Sequence, residues 1–554
     1  MFKLIRQTYG TLTRAEKNFL LIATISVLIL SSAAFFYGQI IQKENFFTGY
    51  SLINGSDKMN YLAQLEDARQ GSFLVHNFYT AEPQLGYFSP LWLALGRLAK
   101  LTGLNSLFTY HLFRIIFGFI FLVLSYLFIT RIFINRRWRK ITWLTLALGS
   151  GLGVLTINGQ WTMDNIFKNF GTDLWVVESN TFLSISHSPL FIISQTCLLL
   201  FFWWVIEKID NAKTIAVIGA SLFLLFLGFI HPMDLLIVYA VLVGWLIFKA
   251  IRAKNWPGPG LAKIITIFAI PFIAILYFFL LKHYDFAFAN WSNQYITLSP
   301  KLFNYLMGYG LIFLAFVLGL YPAYRSKNPY LNFVLVWAVI SWFLLYSPLA
   351  VQRKLGNGLQ LPMVIVGAWG VWFLKEKLSY YKIKFNKYFK FFPSWRDPAL
   401  AVIIIIPAAV LLLSTNLFLI GFELSVLKDR PLPYFWPKEF EQALEWLNDN
   451  SSRGSIILSS YKTGNIIPAY TARFSYIGYE LQTVNYQKKR ALTEKWFFGN
   501  NQDDRQKLLW LKQEGIDYVF YGPLEKALGD FQPNTKFYLD QVFNRGEAEI
   551  YKVE

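Results

Sequence analysis

A chain of 554 residues that is 55% hydrophobic, 19% aromatic and only 15% charged is built largely to face lipid, since a soluble chain is about a quarter charged. That composition excludes a soluble enzyme, a disordered scaffold and a collagen-like or coiled-coil rod. The single cysteine, Cys197, excludes a disulfide framework and a cysteine-based zinc cluster.

Apolar runs that reach or approach the roughly 20 residues of a membrane-crossing helix occur at 19–41, 111–130, 141–157, 189–206, 214–230, 235–248, 264–281, 302–323, 329–351, 359–374 and 398–421. They predict a mainly α, polytopic membrane protein with about eleven transmembrane helices over residues 1–421. The first run follows Lys3, Arg6, Arg14 and Lys17 and carries Ser31-Ser32-Ala33-Ala34 near its end, as a signal peptide would. Its length points instead to a retained anchor.

Orientation follows from the placement of Lys and Arg. With the N-terminus inside, segments 1–18, 131–140, 207–213, 249–263, 324–327 and 375–396 are cytoplasmic and hold 24 Lys/Arg in 76 residues. The opposite loops, 43–106, 158–188, 231–234, 282–301 and 352–358, hold 10 in 126. This bias predicts that the N-terminus lies on the cytoplasmic side of the membrane. The net charge of +19 therefore reports topology, and no nucleic-acid partner is expected.

Residues 422–554 read differently, with 17 Lys/Arg and 18 Asp/Glu. Lys438 to Leu447 has helical spacing and Ser455-Ile456-Ile457-Leu458-Ser459 reads as a buried strand. Asp503 to Gly515 and then Ile516 to Tyr521 repeat the pattern, and Glu549 to Val553 reads as a closing strand. An extracytoplasmic α/β domain follows, joined through the stiff Pro431-Leu432-Pro433.

Ten acids fall in the loops expected outside: Glu44, Asp57, Glu66, Asp67, Glu82, Asp164, Asp173, Glu178, Asp234 and Asp285. Carboxylates at the rim of a helix bundle can deprotonate an acceptor or hold a divalent cation, although acids are also ordinary in loops. The long first loop, 42–106, is apolar enough to lie on the membrane interface. In it Asp57 follows the turn-prone Asn54-Gly55-Ser56. The loop 158–188 gathers Asp173, Trp175 and Glu178 beside Asn180 and Thr181. His231 precedes Pro232 at a span end and is either an interfacial hydrogen-bonded histidine or a substrate contact. Arg353 and Lys354 sit in a seven-residue outer connector against the general charge bias, so they need an anionic partner, either a loop carboxylate or a lipid phosphate. Trp92, Trp161, Trp175 and Trp291 suit either interfacial anchoring or stacking on the face of a ligand.

A short cytoplasmic tail, one span, a long first outer loop with an early Asp, many further spans and an outer α/β domain together resemble the GT-C superfamily of membrane glycosyltransferases. Local strings add to the resemblance: Asp57 through Gly71, Tyr79-Thr80-Ala81-Glu82-Pro83-Gln84, Asp173 to Phe182, His231-Pro232, Gln352-Arg353-Lys354 and Gly515 to Pro523. The resemblance implies an enzyme that takes a sugar from a polyprenyl-phosphate-type donor and moves it, usually with inversion, to a glycan, lipid or protein acceptor on the outer side. It maps the base or acceptor-orienting group to Asp57 and further catalytic acids to Asp173 and Glu178. Arg353 and Lys354 then serve the donor phosphate, while Glu82, Trp175 and His231 are candidate substrate contacts. Many members carry paired acids in the first loop, whereas Lys58-Met59 follow Asp57, so a divalent cation is possible and its ligands are unassigned. The rival reading, a polytopic transporter or lipid flippase with an outer sensing domain, wants charge at mid-span, where Arg114 is the main instance. A non-catalytic assembly protein on the same fold is the third.

Overall fold

All eleven apolar runs fall on helices in whole or in part in the computed structural model, which describes residues 1–160, 162–254, 258–385, 398–500 and 503–554. Trp161 and positions 386–396 of the 375–396 loop lie outside the described residues, as does the side chain of Asp164. Six helices are long and apolar enough to cross a membrane: Arg14–Ile41, Ser106–Thr130, Pro189–Asn211, Met233–Ala253, Ala262–Tyr284 and Ile406–Lys428. A seventh is broken. Leu302–Tyr309 and Leu311–Arg325 meet at 93° around Gly310, whose φ of 46° suits a residue without a Cβ. Thr214–Ile230 and Pro329–Leu344 are shorter apolar helices. The chain is thus a multi-pass membrane protein, with six or seven helices of spanning length among the described residues where the apolar runs suggest about eleven. Part of the difference is local: the run from 141 stops as a helix at Leu148, and Gln360–Phe385 mixes its apolar start with Lys375, Glu376 and Lys377.

The residues fall into two compact units. Unit 1 comprises 1–33, 114–275 and 297–422, and unit 2 comprises 34–113, 276–296 and 423–554. Where the composition changes at 421/422, the unit that holds the C-terminal part also takes in the long first loop.

In unit 1 the core is aromatic and aliphatic, with Phe202 4.7 Å from Trp337 between ring centres and Trp203 fully buried. Helices Leu311–Arg325 and Gln360–Phe385 approach through Gly319, where a Cβ would lie 2.0 Å from the Val366 carbonyl oxygen. Small residues permit such close packing between membrane helices, where burial of apolar surface supplies no drive. Arg114 is fully buried and donates to the carbonyls of Ile185 at 2.6 Å and Ser31 at 3.3 Å and to Ser32 Oγ at 2.8 Å. This mid-span cation holds helices together, as an arginine in lipid must if its donors are to be satisfied.

In unit 2, strand β1 (Asn45–Phe47) pairs antiparallel with β2 (Phe435–Pro437). The strands β3 (Ile456–Leu458), β4 (Phe474–Ser475), β5 (Tyr518–Tyr521), β6 (Leu539–Arg545) and β7 (Ala548–Val553) form one sheet in the order β4-β3-β5-β7-β6. Pairing is parallel for β4-β3 and β3-β5 and antiparallel for β5-β7 and β7-β6. The expected helices appear as Lys438–Asn450 and Asp504–Gln513, so the α/β character predicted for the C-terminal part is present. Its core gathers Leu458, Ile477, Phe497, Val519 and Tyr551. The helix Gly55–Gln70 packs in the same unit, with Tyr61 stacked on Trp92 at 5.2 Å and Trp92 on Tyr110 at 6.2 Å. Trp92 is 2% exposed. It is a core residue, and stacking on a sugar face is not open to it.

Candidate functional site

The loop that carries Asp173, Trp175 and Glu178 in unit 1 is pinned by local chemistry. Asn180 caps the helix Thr181–His187 by accepting from Leu183 N, and Ser188 caps the next helix ahead of Pro189, both suited to their cap positions. Gln360 Oε1 accepts from Thr181 N at 2.6 Å. Glu178 lies on the short turn Val177–Ser179, and Arg353 and Lys354 on the turn Gln352–Gly356. The two turns are tied together, since the Glu178 carbonyl accepts from Gly358 N at 3.1 Å and from Gln195 Nε2 at 3.2 Å.

Five of the eight residues singled out from the sequence meet here. Glu178 Oε1 faces Lys354 Nζ at 3.3 Å and Arg353 Nε at 3.6 Å. The Arg353 guanidinium lies 4.7 Å over the Trp175 ring, and Lys354 Nζ lies 5.2 Å from the Phe191 ring centre. Phe191 in turn sits edge-on to His231 at 6.0 Å. Of the two partners considered for Arg353 and Lys354, the loop carboxylate is present. Burial works against ionised Glu178, but Lys354 and then Arg353 outweigh it and hold its carboxyl below the usual range. Arg353 Nε is buried with no hydrogen-bond partner.

Behind this cluster runs a polar network that the sequence reading missed. His231 Nδ1 is 2.9 Å from Asp234 Oδ1. Asn357 Nδ2 donates to the same oxygen at 2.8 Å and to Ser194 Oγ at 2.6 Å, and Ser194 bonds the other Asp234 oxygen. Gln195 Nε2 links Asn357 Oδ1 to Ser184 Oγ and the Glu178 carbonyl. Asp234 stood among the ten acids with no role attached. Ser194 and Gln195 sit inside an apolar run, and polar residues in such a run are the signal that could have drawn attention to them.

Asp173 has a different setting. It is 1% exposed and its Oδ2 accepts from Gly151 N at 2.8 Å and Gly153 N at 3.4 Å. A Cβ on Gly153 would lie 2.0 Å from Asp173 Oδ1. The carboxyl therefore occupies space that only glycine leaves. Burial pushes its pKa up to about 7, against hydrogen bonds from Thr415, Gly151 and Gly153 that lower it.

Asp57 and Glu82 belong to unit 2. Asp57 lies in the first turn of Gly55–Gln70, where the helix dipole favours an anion. It is half-buried and its Oδ1 accepts from Tyr479 Oη at 2.6 Å. Burial first, then the charge of Asp57, push the Tyr479 phenol well above 10, so it stays a donor. Tyr79 stands edge-on to Tyr479 at 6.1 Å, and the adjacent Ser56 Oγ accepts from Asn465 Nδ2 at 2.7 Å. Glu82 is engaged elsewhere. It accepts from Thr80 Oγ1 and pairs with Lys489 at 2.9 Å, and it supports the 484–489 segment through those contacts. Trp291 stacks on Tyr87 at 6.0 Å.

Among the described residues no group of three or more His, Cys, Asp and Glu side chains is placed to hold a metal ion.

No protein-family model matches the sequence, and no curated protein matches it. Solved structures do. The Archaeoglobus fulgidus oligosaccharyltransferase tethered to an acceptor peptide aligns over 91% of this chain and 69% of its own, with TM-score 0.52 and 12% identity. ArnT of Cupriavidus metallidurans bound to undecaprenyl phosphate aligns over 96% and 98%, with TM-score 0.45 and 11% identity. The mycobacterial arabinofuranosyltransferase AftD aligns over 98% and 40%, with TM-score 0.46 and 13% identity. At such identities the likeness is one of architecture, and the first comparison carries it: the chain has the GT-C fold of membrane glycosyltransferases.

Proposed function

We propose that this protein is a membrane glycosyltransferase of inverting type. It moves a sugar from a polyprenyl-phosphate-type lipid donor to an acceptor on the outer face of the cytoplasmic membrane. The observation that carries the reading is the pair Arg353 and Lys354 gathered on the buried carboxylate of Glu178, with the Arg353 guanidinium over the indole face of Trp175. A planar guanidinium suits a phosphate, and charge placed where the leaving group develops its own lowers the barrier.

In the reaction, the acceptor hydroxyl passes its proton to the Asp57 carboxylate as its oxygen attacks the anomeric carbon. The bond from that carbon to the phosphate oxygen breaks, and the departing lipid phosphate keeps the electron pair and the new charge. Glu178 holds the two cations, and Asp173 holds the loop that presents Glu178. His231, fixed by Asp234, and Trp175, beneath Arg353, line the donor side. Glu82 acts through Lys489. The acceptor class is a glycan, a lipid or a protein; the oligosaccharyltransferase of similar fold was solved with an acceptor peptide.

The test is purified protein incubated with radiolabelled polyprenyl-phosphate sugars in lipid. Transfer or release of label by the wild type and its loss in Asp57→Asn support the reading. No turnover of any such donor by well-folded protein overturns it.

A further inference from the structure

We infer that unit 1 carries a second anion site, one for a phosphate group, at the end of helix Pro329–Leu344 remote from Arg353 and Lys354. Sixteen residues of helix place that end about 24 Å away. The charge bias assigns it to the cytoplasmic face.

A cavity of about 320 Å³ opens there, lined by Thr8, Arg131, Arg139 and Tyr330 among others. Ligand sites commonly begin near about 300 Å³. Both arginines are pre-set. Arg131 donates from Nε to Tyr330 Oη at 2.9 Å and from Nη2 to Glu207 Oε1 at 2.8 Å. Arg139 donates from Nε to the Phe133 carbonyl at 2.7 Å and from Nη1 to Glu16 Oε1 at 3.1 Å. Each guanidinium is thereby fixed through two of its nitrogens. The third, Nη1 of Arg131 and Nη2 of Arg139, has no hydrogen-bond partner among the described residues.

The second observation is independent of charge. Thr8 is 3% exposed and its Oγ1 has no hydrogen-bond partner, yet the residue lines the same cavity. A buried hydroxyl left unpaired is destabilising. An oxygen-rich ligand in the cavity would relieve it. The carboxylates nearby do not fill that role: Glu207 is held by Arg131, and Glu16 by Arg139 and Arg136. Three arginines against two carboxylates leave the site one positive charge in excess.

A phosphate matches these donors. It is acceptor-only and anionic, and its tetrahedral oxygens can meet two guanidinium edges and a hydroxyl at once. The source is either the headgroup of an anionic phospholipid or the free anion, and the experiment separates them. The full chain is purified in dodecyl maltoside without phosphate, and its melting is followed in two arms. One arm compares added phosphatidylglycerol with a galactolipid of the same acyl chains. The other compares inorganic phosphate with chloride at equal ionic strength.

The wild type is expected to gain about 2 °C or more in at least one arm. A gain with phosphatidylglycerol alone identifies the lipid headgroup, and a gain with inorganic phosphate identifies the free anion. Thr8→Val and Arg131→Gln should each abolish the gain. Without phosphate, Thr8→Val should melt no lower than the wild type, because its unpaired hydroxyl is gone. No gain in either arm, or a gain that survives Thr8→Val, overturns the proposal, and Thr8→Val keeps the test decisive even if Arg131→Gln folds poorly.

Discussion

Tyr479 Oη lies 2.6 Å from Asp57 Oδ1 across 422 residues of sequence, so the α/β part of unit 2 supplies the donor that orients the early acid of the first long loop. The contact gives the C-terminal residues a place in the proposed chemistry. Asp57→Asn keeps shape and removes the base, so transfer should fall to a hundredth or less at unchanged melting temperature, since a general base supplies about two to four decades. Retention of more than about a tenth would remove Asp57 from that role. Tyr479→Phe keeps the ring against Tyr79 and loses only the donor. It should lower kcat about tenfold, the equivalent of roughly 1.4 kcal/mol, with KM for the acceptor little changed. A rise in KM at constant kcat would make Tyr479 a binding residue instead.

The other acids of that loop are poor neutral comparators. Glu66 accepts from Arg69 Nε at 2.7 Å and Ser106 Oγ at 2.6 Å, and Asp67 holds Ser72 and His76. Glu66→Gln and Asp67→Asn should therefore show their effect as a lower melting temperature, worth about 1–3 kcal/mol each. Activity per folded molecule should be spared.

Arg353→Ala should weaken donor binding by about one to two decades, the worth of a charge-assisted contact of roughly 1.5–3 kcal/mol. Lys354→Ala should do so less. Equilibrium binding of a labelled polyprenyl-phosphate sugar is the measurement. Normal donor binding with a reduced melting temperature would mean that the two cations serve Glu178 and nothing more.

Asp173 makes a prediction in pH. Its folded pKa of about 7 stands above the ordinary 3.8, so between these values the native state binds the proton that the unfolded chain has released. Stability from this group is therefore greatest at and below about pH 4 and is lost as pH rises through 7. Asp173→Asn should remove that share of the slope of melting temperature against pH and gain most over wild type at pH 8. An unchanged slope would show that the carboxyl ionises as freely in the fold as out of it.

Topology can be checked in a Cys197→Ser background. A membrane-impermeant thiol reagent applied to intact cells should label a cysteine placed at Asn500 and not one placed at Asn386. The reverse pattern would put the proposed chemistry on the other side of the membrane.

Much of this fold was legible because hydrophobic runs and period-two or helical patterns are local properties. The C-terminal helix at Lys438–Asn450 and the strands at 456–458 and 548–553 lie within a few residues of where spacing put them. Glu178 and the Arg353–Lys354 pair drew attention for a physical reason as well, as charges in loops beside lipid. Their meeting was one of two open alternatives, because nothing in a sequence states which anion a cation faces over 170 residues of chain. Tyr479 was invisible for the same reason: a lone tyrosine in an aromatic-rich chain has no local signature. The setting of Asp173 was not legible either. Its carboxylate is taken into the packing by Gly151 and Gly153, and no local pattern states that two glycines 22 and 20 residues upstream leave it that space.

The pairing of β1 with β2 bears on how the protein is made. Thr48 Oγ1 donates to the Tyr434 carbonyl from 386 residues away, and the strand beside it has no partner until β2 has been synthesised. At roughly 5–20 residues per second, that interval is about 20–80 s. Through all of it the 42–106 segment waits with its edge unpaired while later helices enter the bilayer. Until then this strand is the stretch on which a holdase, or a slowed ribosome, would act.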